Sequence, residues 1–83
     1  MPDEEQLKDV IVMLSELKKD SAVPKNVKNK IEATIEVLEE KTELSIKTHR
    51  ALHELEEVAD DVNLQPFTRT QIWNIVSLLE KIA

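Results

Sequence analysis

Apolar residues return at steps of three and four along nearly the whole chain, and they do so in two matching halves. Leu7, Val10, Ile11, Leu14 and Leu17 line one face of a helix expected from about Asp3 to Lys19, and Val27, Ile31, Thr34, Ile35 and Leu38 line a second. A third stripe comprises Leu44, Thr48, Ala51, Leu52, Leu55, Val58, Ala59 and Val62, and a fourth Ile72, Ile75, Val76, Leu79 and Ile82. Shifting the chain by 41 positions, the spacing from Asp20 to Asp61, pairs Ile11 with Leu52, Leu14 with Leu55, Leu17 with Val58, Ile31 with Ile72, and Leu38 with Leu79. A helix pair recurring every ~40–47 residues is the period of HEAT-like arrays, whose hairpins stack on a shared seam. Apolar matching between any two helical hairpins is the plainer account, and it predicts the same four helices. The expected fold is a single all-α domain over residues 1–83: four helices in two stacked hairpins, HEAT-like or closed as a compact bundle.

Breaks in the pattern set the helix ends. Pro24 disfavours helical dihedrals at Val23 and is tolerated at a first helical position, so Asp20 to Pro24 ends the first helix. Asp60 to Pro66 is a similar turn-rich segment. Between the second and third helices no Gly or Pro intervenes, and phase decides. Carrying the second stripe forward would bury Lys41, Thr42 and Ser45, whereas apolar residues resume at Leu44, so a tight connection is expected near Lys41 to Glu43 with Thr42 as cap. An unbroken helix from Pro24 to Asp60 is the competing reading. Thr68 and Gln71 fit a capping box for the last helix, with Phe67 stapling onto Ile72.

Composition narrows the function classes. The chain has no Cys, hence no disulfide or thiolate chemistry, and no Gly, which removes the phosphate-cradling loops that need backbone approach without a Cβ. No apolar run reaches the ~18 residues of a membrane helix, and no signal-peptide pattern opens the chain, so a cytoplasmic protein without membrane contact is expected. A formal net charge of −6 disfavours indiscriminate binding to nucleic acid.

Chemistry-bearing groups are sparse. His49 and His53, spaced i, i+4, are a weak metal candidate with Glu56 or Glu57 one turn on, and their protonation near neutral pH offers a means of tuning an interface. Two histidines on a charged helix face are more often simply solvated, and neither a metal nor a cofactor is expected. Glu36, Glu39, Glu40 and Glu43 read as a solvated acidic face. The serines lack a His in any recognisable order and no catalytic residue is assigned, so the chain is expected not to be an enzyme.

Val12, Met13, Ile46, Phe67, Trp73 and Leu78 lie off or at the rim of their stripes. That surplus points to a self-associating interaction module, a homodimer or a partner of another protein, using Trp73, Phe67 and Arg69 with the turn at Val23 and Pro24. Arg69 is expected near the Trp73 ring or paired with an acidic residue such as Asp61. The alternative is an RNA- or ribonucleoprotein-binding edge of Lys18, Lys19, Lys25, Lys28, Lys30 and Arg69, assembled if the two repeat turns sit side by side.

Asp20-Ser21-Ala22-Val23-Pro24-Lys25-Asn26 together with Pro66-Phe67-Thr68-Arg69-Thr70-Gln71-Ile72-Trp73-Asn74-Ile75-Val76-Ser77 resembles an uncharacterised protein family of small archaeal proteins. The resemblance spans nearly the whole chain. It implies an all-helical intracellular protein with no established activity, and it carries over no catalytic or binding residue.

Overall fold

Four helices form where the apolar steps place them: α1 (Pro2–Lys19), α2 (Lys25–Glu39), α3 (Leu44–Ala59) and α4 (Pro66–Ile82). The computed structural model describes the backbone of residues 2–82 and the side chains of residues 4–82. Every member of the α2 stripe, Val27, Ile31, Thr34, Ile35 and Leu38, is buried, as are Ile72, Ile75, Val76, Leu79 and Ile82 of α4. These side chains meet Leu7, Val10, Leu14 and Leu17 of α1 and Ala51, Leu52, Leu55, Val58 and Ala59 of α3 in one core. The two buried threonines on α2 and α3 are satisfied locally, Thr34 Oγ1 donating to the Lys30 carbonyl and Thr48 Oγ1 to the Leu44 carbonyl, both at 2.8 Å.

The helices close into a ring. α1 packs against α2 and α4, and α3 against α2 and α4, while among the described residues the backbones of the diagonal pairs stay farther apart. Ring closure is the compact-bundle form of the fold, and the extents of 35 × 19 × 19 Å match one bundle length by two helix diameters. The break between α2 and α3 falls at Glu40 to Glu43, which removes the single long helix as an alternative.

The 41-residue repeat is written into the backbone hydrogen bonds of the two turns. In the first turn, Asp20 N–H donates to Leu17 O (3.1 Å), Val23 N–H to Asp20 O (3.2 Å) and Lys28 N–H to Pro24 O (2.9 Å). Forty-one positions on, Asp61 N–H donates to Val58 O (3.0 Å), Leu64 N–H to Asp61 O (3.2 Å) and Arg69 N–H to Gln65 O (2.9 Å). Each aspartate also folds its side chain onto the turn, Asp20 Oδ1 accepting from Ala22 N–H at 2.9 Å and Asp61 Oδ1 from Asn63 N–H at 2.8 Å. This side-chain device lets a chain without glycine turn sharply, and no described residue has a positive φ.

Several local expectations are corrected. α4 begins at Pro66, two residues before Thr68, because proline suits the first helical position, where its missing N–H is not needed. Thr68 is therefore buried inside the first turn instead of capping it, and Phe67 is 70% exposed, free of any staple onto Ile72. Pro24 precedes α2 as its N-cap. Glu43, not Thr42, stands at the N-cap of α3 and makes no side-chain cap bond. Val62, placed by periodicity in the third stripe, is 90% exposed, because α3 ends at Ala59 and the phase is lost.

Candidate functional site

The ring has two pseudo-equivalent seams related by the repeat, α2/α3 and α1/α4, and they differ in what spans them. Lys30 Nζ reaches Glu57 Oε2 at 2.9 Å and Arg50 reaches Glu40 Oε1 at 3.0 Å, tying α2 to α3 and to the segment that follows α2. The ion pair holds the Lys30 ammonium above its ordinary pKa through the hydrogen bond to Glu57, and the same bond holds the Glu57 carboxyl below its own. His53 Nε2 lies 3.6 Å from Glu57 Oε1 on the same face.

On the α1/α4 seam the repeat substitutes Gln71 for Lys30, Val12 for His53 and Met13 for Glu54, while Glu16 stands in the place of Glu57. No side-chain hydrogen bond crosses there among the described residues, and a groove of about 500 Å³ opens between the helices. Val12, Met13, Glu16 and Leu17 line it from α1, Asp20 from the turn that follows, and Gln71, Asn74 and Ile75 from α4. Val12 is 58% exposed, and Gln71 Oε1 is buried at the groove without a hydrogen-bond partner.

The sequence-derived rim does not form one surface. Phe67 and Trp73 project about 120° apart around α4, whereas Phe67 lies within about 40° of Gln71, on the α1 side, and Trp73 within about 40° of Arg69, on the α3 side. Arg69 is engaged by the end of α3: Nε donates to Ala59 O at 3.0 Å and Nη2 to Asp61 O at 2.9 Å. It caps that helix from outside, a use of arginine that satisfies the terminal carbonyls. The acidic partner expected for Arg69 is thus the backbone of Asp61 and not its carboxylate. Val23 is buried beneath its turn and stands on no surface, and Pro24 is half-buried.

The two repeat turns do sit side by side, with Asn26 Nδ2 donating to Asp61 Oδ2 at 2.9 Å. Asp61 is held below the usual carboxylate range, first by the Asn63 backbone N–H and then by Asn26. The lysine edge is accordingly divided. Lys30 and Arg69 are paired within the protein, and Lys18, Lys19, Lys25 and Lys28 make no side-chain hydrogen bond among those described. His49 Nδ1 lies 2.6 Å from its own helix carbonyl at Ser45, and no group of three or more His, Asp or Glu among the described residues is placed to hold a metal ion. Among the described residues no helix is long and apolar enough to cross a membrane.

The profile of the uncharacterised protein family UPF0147 matches residues 1–82. The chain belongs to UPF0147. UPF0147 protein MJ1419 of Methanocaldococcus jannaschii is 44% identical over 80 residues, covering 95% of this chain and 86% of its own. A UPF0147 protein of Sulfurisphaera tokodaii is 32% identical over 81 residues, covering 96% and 91%. The crystal structure of MMP1188, a protein of unknown function, superposes with a TM-score of 0.90 at 36% identity over 96% of this chain and 92% of that one. This chain, a compact all-α bundle, thus belongs to a family with archaeal members and no named activity.

Proposed function

We propose that this UPF0147 chain is a small, non-catalytic protein–protein interaction module of the cytoplasm that self-associates. The observation that supports the reading is what lies along the two seams: ion pairs bridge α2/α3, while Val12 and Met13 line an α1/α4 groove that no side-chain hydrogen bond crosses among the described residues, and Phe67 is exposed nearby on α4. Burying such residues against a second surface removes apolar area from water at ~25 cal/mol per Å², the term that drives most protein association. Sedimentation equilibrium over a hundredfold range of protein concentration tests the reading. A reversible rise from monomer to dimer mass is expected, and a monomer throughout the range refutes self-association.

A second reading, RNA binding at the paired turns, is supported by the four lysines without hydrogen-bonded partners around α1 and α2. Asp20, Asp60 and Asp61 occupy the same end and weigh against it. Nucleic-acid binding through those lysines would weaken steeply as salt rises, whereas burial of apolar surface would not. Titration of a labelled oligonucleotide at two salt concentrations separates the two readings.

A further inference from the structure

The outward stripe of α1 is complementary in charge to itself. Glu5, Lys8, Glu16 and Lys19 are all exposed, and none is in an ion pair among the described residues. They are placed symmetrically about Val12: Lys8 and Glu16 lie four residues to either side, ~6 Å along the axis, and Glu5 and Lys19 seven residues to either side, ~10 Å. Each symmetric pair joins one acid and one base. If a second α1 is laid antiparallel across the first with Val12 on Val12, Lys8 of each copy meets Glu16 of the other, and Glu5 meets Lys19. An isologous two-fold contact requires this reciprocity, in which residue i touches j and j touches i.

The repeat supplies an internal comparison. The equivalent stripe of α3, centred on His53, sets Ile46 against Asp60, and its Glu57 is already held by Lys30 within the chain. The self-complementary pattern therefore belongs to α1 and not to its pseudo-equivalent, α3.

Resting on the self-association reading, we propose that the partner is a second copy of this chain, docked antiparallel α1 on α1 about a two-fold axis through Val12. Val12 and Met13 supply the buried apolar centre, and the four reciprocal ion pairs fix direction and register, since exposed pairs contribute more to orientation than to affinity.

Because the chain has no cysteine, a single thiol reports the axis directly. Under mild oxidation Val12→Cys is expected to cross-link into a covalent dimer, and Ile46→Cys, equally exposed on α3, to remain monomeric on a denaturing gel. Lys8→Glu is expected to raise the dimer dissociation constant about tenfold, by replacing two attractive pairs with two repulsive ones, and Lys8→Glu/Glu16→Lys to restore it. All four sites are exposed, so circular dichroism should show an unchanged fold. If the wild type dimerises but Val12→Cys fails to cross-link, or the double swap fails to rescue, the α1 axis is overturned while self-association stands. A wild type monomeric at every concentration overturns both.

Discussion

Asn26, at the start of α2, donates its side-chain amide to the Asp61 carboxylate at 2.9 Å, joining the turn that ends α1 to the turn that ends α3. Asp61 also accepts the Asn63 N–H, so one carboxylate shapes its own turn and clasps the neighbouring one. Both turns lie at the same end of the bundle, where nothing covalent connects the two hairpins. Asp61→Ala should therefore lower the melting temperature more than Asn26→Ala, which removes only the clasp. Equal melting temperatures for the two variants in a thermal scan would contradict this division of roles.

Arg69 stabilises the end of α3 rather than a ligand. Its two bonds to Ala59 O and Asp61 O are charge-assisted and part-buried, and Arg69→Ala should cost about 1–3 kcal/mol in urea unfolding. Arg69→Lys keeps the charge but loses the planar fork that serves two carbonyls at once, and should recover only part of the loss.

The core gives the largest effects. Leu14 and Leu55 are repeat counterparts, both fully buried, and Leu→Ala at either should cost about 2–5 kcal/mol. A chain of this length holds only about 4–12 kcal/mol in total, so each variant should lose a large part of its stability and the double variant should not fold. Val12→Ala, at an exposed site, should leave the unfolding free energy measured at monomer concentrations unchanged within about 0.5 kcal/mol. Urea titrations followed by circular dichroism provide the comparison.

Stability should fall at both ends of the pH range, for opposite reasons. Glu57 and Asp61 have folded-state pKa values below their unfolded ones, so their contribution is present above the usual carboxylate range and lost as pH drops through the folded values, below about pH 4. Lys30 has a folded value above its unfolded one, so its contribution is full below about pH 10 and lost as pH rises through the folded value. Glu57→Gln should flatten both limbs, since one ion pair underlies its own shift and that of Lys30. Melting temperature against pH for the wild type and this variant gives the test.

The helices were legible because helix formation is local. Periodicity at 3.6 residues fixes which side of each segment is apolar, and α2 and α4 bury the stripes read from their sequence. The repeat was legible for the same reason, since Asp20 and Asp61 build their turns from neighbours within eight residues. Where local signals compete, the sequence misled. Thr68 and Gln71 fit a capping box, but Pro66 two residues earlier is the better helix start and moved Thr68 into the core.

What the chain alone determined is the set of four amphipathic helices and the twofold internal repetition, because both follow from spacing along a single segment. What only packing decided is which seam is bridged. Gln71 and Lys30 occupy equivalent places in the repeat, yet Lys30 finds Glu57 across its seam, and Gln71 leaves an unpartnered oxygen at an open groove. Likewise packing turned the Arg69 side of α4 toward the end of α3 and the Gln71 side toward α1, which gave Trp73 and Phe67, held about 120° apart by helix geometry, different neighbours. Such outcomes depend on how helices rotate against one another when the ring closes, and that rotation is a property of all four stripes together.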